Sequence, residues 1–271
     1  MKKRVFSIAC IWFYVVLLGC CPRVSMLDVP PLLEQASLDS FEVAHRGNLH
    51  RGLPDNSLPA LQEAVDAGVR FLEVDVRRSA EGDLFLFHDS TVSFQNSFTP
   101  RIFRGRRIET LSATERAKVF LNREGTIGIP TLQDALALVK GTDSSLQLDL
   151  KGESDSLLQD VLRVITKMRA FDNVVIQLKD VQRMIRLAKP ARAVRVVARC
   201  RSMTQLRQAL VTGVWGVELE RWISADAIRL AHEHGVLVSI NLAGSRLDRK
   251  TTRHYFRTRG TDSIMTDFAG Q

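Results

Sequence analysis

The chain is 271 residues long, 45% hydrophobic and 25% charged, the balance of a globular protein with a sizeable buried core. Its 38 Lys and Arg against 30 Asp and Glu leave a formal charge of +8, which favours anionic partners: phosphorylated small molecules, a lipid surface or nucleic acid. Nucleic acid fits worst, because the basic residues are scattered, 7% of residues are aromatic, and no stacking motif or zinc-finger spacing is present. The four cysteines, at 10, 20, 21 and 200, form no CxxC pair and no Cys/His zinc spacing, which excludes a disulfide framework. Cys200 reads as a small buried side chain.

At the N-terminus, MKKRVFSIACIWFYVVLLGCCPRV starts basic and continues as an apolar run from Val5 to Leu18. That is a secretory signal, too short for a membrane span. The run closes on Leu17-Leu18-Gly19-Cys20, which resembles the bacterial lipobox. The resemblance implies cleavage before a Cys20 carrying diacylglycerol on its sulfur; the alternatives are a plain signal peptide or an uncleaved anchor. On the lipoprotein reading, residues 1–19 are the signal and residues 20–40, with Pro22, Pro30 and Pro31, are a tether. Residues 41–271 then form the working domain, held in the bacterial cell envelope by the lipid anchor.

From residue 41 the pattern predicts strands over 41–45 (FEVAH), 71–76 (FLEVDV), 83–87 (DLFLF), 145–150 (SLQLDL), 173–178 (NVVIQL), 194–198 (VRVVA), 215–219 (WGVEL), 236–240 (VLVSI) and 262–265 (DSIM). Helices are predicted over 57–67, 131–140, 154–168, 180–188, 203–211 and 224–234. Such alternation means a parallel sheet, either open and doubly wound or closed into an eight-stranded barrel. No GxGxxG and no Walker loop supports the nucleotide-binding version. Nine strands are one too many for a barrel, but 71–76 and 83–87 are joined by SAEGD, far too short for a parallel crossover. The expected fold is therefore α/β: a TIM-type (β/α)8 barrel with a short antiparallel hairpin inserted after strand two.

In such a barrel the site lies at the C-terminal strand ends. Strand side chains alternate, so Glu73 and Asp75 share one face of FLEVDV while Leu72, Val74 and Val76 take the other. SLQLDLKG likewise separates Leu146, Leu148 and Leu150 from Gln147, Asp149 and Lys151. His45, Arg46 and Gly47 end the first strand, His88 and Asp89 tip the hairpin, and Glu218, Glu220 and Asn241 lie farther round. Inward carboxylates repel unless a cation sits between them or protons are taken up. Glu73, Asp75 and Asp149 together make an oxygen cluster for one hard divalent cation, Ca²⁺ or Mg²⁺. The competing reading is a solvated acidic face, or one ion-paired with Arg77 or Arg78. Asp55 and Asn56 read as turn formers and caps for the helix near Ser57, and Asp89 as orienting its loop or His88. His50, His232, His234 and His254 read as surface or helix-end residues.

The stretch AHRGNLHRGLPDNSLPALQEAVDAGVRFLEVDVRRSAEGDLFLFHD resembles the signature of glycerophosphodiester phosphodiesterases: His-Arg-Gly, a Pro-Glu-Asn-Thr-like turn and helix, Glu-x-Asp, then His-Asp. IPTLQDAL, the acid-x-Lys of LDLKG and the closing GTDSIMTDFA match in order, so the resemblance covers about residues 41–269. It implies a metal-dependent phosphodiesterase producing glycerol 3-phosphate and an alcohol from a small glycerophosphodiester. His45 and His88 would be the acid–base pair, Arg46 would face the phosphate, Glu73 and Asp75 would hold the metal, and Asp149 stands where the family usually has Glu. Lys151 would join Arg46 in neutralising the phosphate. In this family a neighbouring glycerol hydroxyl is thought to attack the phosphorus, giving a cyclic phosphate that water opens; direct attack by water is the other route.

PDNS replaces the usual PENT, and STVSFQNSFTPRIFRGRR follows His-Asp where the family often has Leu-Asp-Arg and a Thr-Gly-rich stretch. The loop at 90–107 borders the site, so these departures bear on substrate selection. A rival reading is a sphingomyelinase D-like phospholipase using the same histidines and metal, with the Phe-rich 85–103 stretch touching a bilayer. A third is a surface lipoprotein that keeps the barrel for binding alone, against which the intact His, Arg, Glu and Asp set argues.

Overall fold

The computed structural model describes residues 41–152, 154–179, 194–219 and 224–270. The predicted helix over 180–188, Glu220, the leader, Cys20 and the tether lie outside the described residues. The strands run β1 (Phe41–Ala44), β2 (Phe71–Arg78), β3 (Leu84–Leu86), β4 (Ser145–Leu150), β5 (Val174–Leu178), β6 (Arg195–Cys200), β7 (Gly216–Leu219), β8 (Leu237–Asn241) and β9 (Ser263–Thr266). Their spatial order is β1-β9-β8-β7-β6-β5-β4-β2-β3, and β1 also pairs with β2. Eight parallel strands thus close into the expected barrel. β3 is antiparallel to the end of β2, with Val76 opposite Leu86 and Arg78 opposite Leu84, so the hairpin rises from the barrel's C-terminal rim.

Strands buried on both faces need apolar side chains outward and either apolar or mutually satisfied polar ones inward. All six residues of β4 are buried: Leu146, Leu148 and Leu150 join the helix-facing core, while Gln147 and Asp149 point inside. The lower interior is plugged by Val43, Phe71, Val175, Val197 and Met265, with Phe41 and Trp215 against them. Phe71 stacks at 4.7 Å from Phe41 and 5.8 Å from Trp215 between ring centres. This apolar floor leaves the polar positions at the opposite, C-terminal mouth.

The described helices are α1 (Leu58–Asp66), α2 (Ala113–Arg116), α3 (Leu132–Val139), α4 (Asp155–Met168), α5 (Met203–Leu210), α6 (Ala225–Glu233) and α7 (Lys250–Thr258). Six of them begin at a Ser or Thr whose hydroxyl accepts a first-turn N–H: Ser57, Ser112, Thr131, Ser154, Ser202 and Ser224. α7 was not expected from the sequence and has no side-chain cap. Its one buried residue is Arg253, which binds Glu42, Asp248 and Thr266 instead of filling an apolar stripe.

Residues after β3 build a second, smaller core from Phe85, Phe87, Val92, Phe103, Ile108, Leu111, Val119 and Leu121. Three of the phenylalanines in the 85–103 stretch are therefore spent on internal packing. Cys200 is buried, and burial together with the nearby Glu218 pushes its thiol up to about 12. Among the described residues, no helix is long and apolar enough to cross a membrane.

Candidate active site

Glu73, Asp75 and Asp149 meet at the mouth end of β2 and β4, each buried and each offering an oxygen within 4.8 Å of the others. The register explains this: Asp75 lies directly opposite Asp149, and Glu73 is one inward position earlier. Glu73 accepts the backbone N–H of Arg46 at 2.9 Å. Burial, then the charges of Asp75 and Asp149, raise its carboxyl well above the usual range. Burial would also raise Asp149, but Lys151 and Lys179 outweigh it and hold that acid low. Lys151 bridges Asp75 at 2.7 Å and Asp149 at 2.6 Å, and Lys179 stands 3.3 Å from Asp149.

The expected alternative, ion pairing with Arg77 or Arg78, is not what occurs. Arg77 binds Glu109 and the carbonyls of Phe87 and His88, and Arg78 pairs with Asp160. Lys151 and Arg46 supply the positive charge instead, with Arg46 Nε 3.6 Å from Asp75 and Nη1 3.0 Å from Asp55. The donor set still fits a hard divalent cation. It is all oxygen, and the Glu73 carboxylate accepts one hydrogen bond among the described residues, from the Arg46 backbone. Asp149 Oδ1 is buried with the Lys179 ammonium 3.3 Å away but no hydrogen bond made.

The loop between β1 and α1 holds this arrangement in place. Arg46 has φ 52° and ψ 26°, which aims its N–H at Glu73 and its carbonyl at the N–H of Asn56. Asn56, also left-handed at φ 56°, donates to Asp75 Oδ2 at 2.7 Å and accepts from the Asp75 N–H at 2.9 Å. Asn56 therefore orients a candidate ligand, a role beyond the turn-forming one its position suggests, while Ser57 is the helix cap. Gly47, at φ 63°, packs so closely that a Cβ would sit 2.2 Å from Leu61 Cδ2.

Both candidate histidines are backed by carboxylates. His45 Nδ1 lies 2.8 Å from Asp267 Oδ1, and His88 Nδ1 lies 2.6 Å from Asp89 Oδ1. A carboxylate on Nδ1 keeps the proton there in the neutral ring and leaves Nε2 free to accept one. Asp89, as expected, orients His88, and Asn96 in turn donates to Asp89 at 2.6 Å. Burial would raise Asp267, but the His45 contact and the Gly244 N–H bring it down to about 2. Asp267 was not singled out in the sequence, although it sits in the closing TDFA that matched the family pattern. His50 also approaches Asp267, at 3.5 Å, so it is not merely a surface residue. His232 pairs with Asp262 away from the mouth. Arg199 and the fully buried Glu218 form a further inward pair at 2.6 Å.

Residues 45–271 match the model of the glycerophosphoryl diester phosphodiesterase family. The chain is 32% identical over 116 residues to glycerophosphodiester phosphodiesterase 1 of Bos taurus, covering 41% of this chain and 34% of that one. The chain spans about half the length, or less, of the curated relatives it matches at 30% identity or above. In three dimensions it resembles a glycerophosphoryl diester phosphodiesterase from Parabacteroides distasonis, with a TM-score of 0.71 at 21% identity over 86% of this chain and 85% of that one. It also resembles an Oleispira antarctica phosphodiesterase solved with the product sn-glycerol-3-phosphate, with a TM-score of 0.67 at 16% identity over 85% and 94%. With the family model matched over 227 of 271 residues (45 through 271) and the barrel, acidic triad and paired histidines in place, this chain belongs to the glycerophosphoryl diester phosphodiesterase family.

Proposed function

We propose that this protein hydrolyses glycerophosphodiesters to glycerol 3-phosphate and a free alcohol, with one divalent cation, Ca²⁺ or Mg²⁺, held by Glu73, Asp75 and Asp149. The observation that carries this reading is the acidic triad at the mouth of a barrel whose rim also bears two carboxylate-backed histidines. The product found in the Oleispira antarctica relative supports the substrate class.

A bound cation would neutralise phosphoryl oxygens as a Lewis acid. Arg46 and Lys151 add two fixed positive charges on the same anion. Either His45 or His88 takes at Nε2 the proton of the attacking oxygen, which is water or a glycerol hydroxyl whose cyclic phosphate water then opens, and the other delivers one to the leaving alkoxide. Asp267 and Asp89 hold the rings in the tautomer this needs and stabilise the imidazolium that forms.

The proposal places the protein in the cell envelope, tethered by a lipid on Cys20 and linked to the barrel through residues 20–40. Its support is the lipobox resemblance alone. Cys20→Ser should leave an unprocessed precursor without lipid label; equal labelling in both forms contradicts the anchor.

The activity is tested by incubating purified protein with glycerophosphocholine or glycerophosphoethanolamine, with Ca²⁺ or Mg²⁺ and with chelator. Metal-dependent release of glycerol 3-phosphate is expected. Cleavage of sphingomyelin or lysophospholipids instead would overturn the substrate class, and no cleavage of any of them would overturn the enzyme reading.

A further inference from the structure

The stretch from residue 90 to residue 107 holds four arginines and no acid. Its two ends pair through backbone hydrogen bonds: Val92 with Arg106 and Gly105, and Ser90 with Ile108. Phe103 and Val92 anchor it in the small second core. Between those ends the chain loops out, and its large apolar side chains face solvent: Phe94 is 68% exposed, Ile102 74% and Phe98 41%.

Arg104 lies over the Phe94 ring at 3.3 Å, and Arg101 sits beside Ile102 in the same short 3₁₀ turn. Arg106 and Arg107 are engaged by Glu115 and Glu109. Among the described residues, no carboxylate pairs with Arg101 or Arg104. Exposed aromatic and aliphatic side chains interleaved with uncompensated guanidinium groups match the layering of a lipid interface: acyl boundary below, phosphate above. A second copy of this tip is a poor occupant, because docking it on itself would set like charges together.

The tip is also tied to the mouth. Asn96, within it, donates to Asp89, which holds His88. The tip is therefore connected, through Asn96 and Asp89, to the candidate acid–base residue His88.

We propose that residues 93–104 are a docking surface for an anionic lipid bilayer, seated by Phe94 and Ile102 and steered by Arg101 and Arg104. The surface stands whether or not the hydrolysis proposed above does, because its test reads binding and not turnover.

The test uses the full chain carrying Ile102→Trp, with wild type as the baseline for the native Trp12, Trp215 and Trp222. Both are mixed with phosphatidylglycerol or phosphatidylcholine vesicles whose acyl chains carry bromine. The added emission should shift to the blue and be quenched on phosphatidylglycerol, well below the lipid concentration needed on phosphatidylcholine. Adding Arg101→Glu and Arg104→Glu should raise the phosphatidylglycerol needed on the order of tenfold or more. Because the readout comes from position 102, an N-terminal anchor cannot supply it. Emission from position 102 that ignores vesicles overturns the proposal, as does equal quenching on both lipids. A blue shift that grows with protein concentration in the absence of lipid also overturns it, and assigns the tip to self-association.

Discussion

Asp267 stands 222 positions from His45 in sequence, yet its carboxylate is 2.8 Å from the imidazole. Removing that charge while keeping the shape should disturb the ring tautomer more than substrate binding. Asp267→Asn is expected to lower kcat on the order of 10²-fold or more, with KM little changed and the pH–rate profile displaced. A change in KM alone would mean that Asp267 only shapes the loop. Asp267 also makes a prediction about acid stability. Its folded pKa, about 2, lies below the ordinary 3.8, so its contribution is present above about 3.8 and is lost as pH falls through 2. Asp267→Asn should therefore flatten the acid limb of the melting curve in that window, as followed by circular dichroism. His45, His88, Glu73 and Asp75 were legible because each sits at a strand end in a short ordered motif. Asp267 was not singled out and Asn56 was read as a turn former and cap, since what they hold is decided by barrel closure, which no local spacing reveals.

The loop that joins β1 to α1 concentrates backbone conformations that side chains rarely adopt. Arg46, His50 and Asn56 are three of the four non-glycine residues at positive φ among the described residues, and Gly47 and Gly52 are there too. Such strain costs of order 1–3 kcal/mol per residue, and persists where the surroundings over-determine it. Here it aims one amide at Glu73 and one side chain at Asp75. Gly47→Ala should destabilise the protein by roughly 1–3 kcal/mol, since the new methyl would meet Leu61 in an already unfavourable φ. Urea melts with an unchanged midpoint would contradict this. Element types were readable wherever period and cap agreed, as in β4 followed by Ser154 and α4. KTTRHYFRT carries no apolar stripe to mark α7 in the sequence; Arg253 ties the helix to the remote Glu42 and to Asp248 just before its first turn. The hairpin was legible from SAEGD, but the small core beneath residues 87–129 was not, because its phenylalanines are spaced by turns with no fixed period.

At the scale of the whole molecule, an apolar floor beneath a charged mouth makes the barrel a one-sided device. Closure through β1 and β2 brings His45 and Arg46 beside the acids of β2 and β4, and the hairpin carries His88 to the same rim. Lys151 between Asp75 and Asp149 offsets part of their repulsion, so loss of Asp75 would also take from that ammonium one of its two carboxylate partners. Glu73 is the cleaner probe. Among the described residues its carboxylate accepts one hydrogen bond, from the Arg46 backbone N–H, and Gln can accept the same bond without the charge. The most direct measurement of the account is the melting temperature of wild type and Glu73→Gln, with chelator and with Ca²⁺ or Mg²⁺. Wild type should rise by roughly 5–10 °C at about a hundred times the dissociation constant. Glu73→Gln should melt no lower than wild type under chelator, and should lose most of that rise. A full rise in Glu73→Gln, or none in wild type, would contradict a metal site built from Glu73, Asp75 and Asp149.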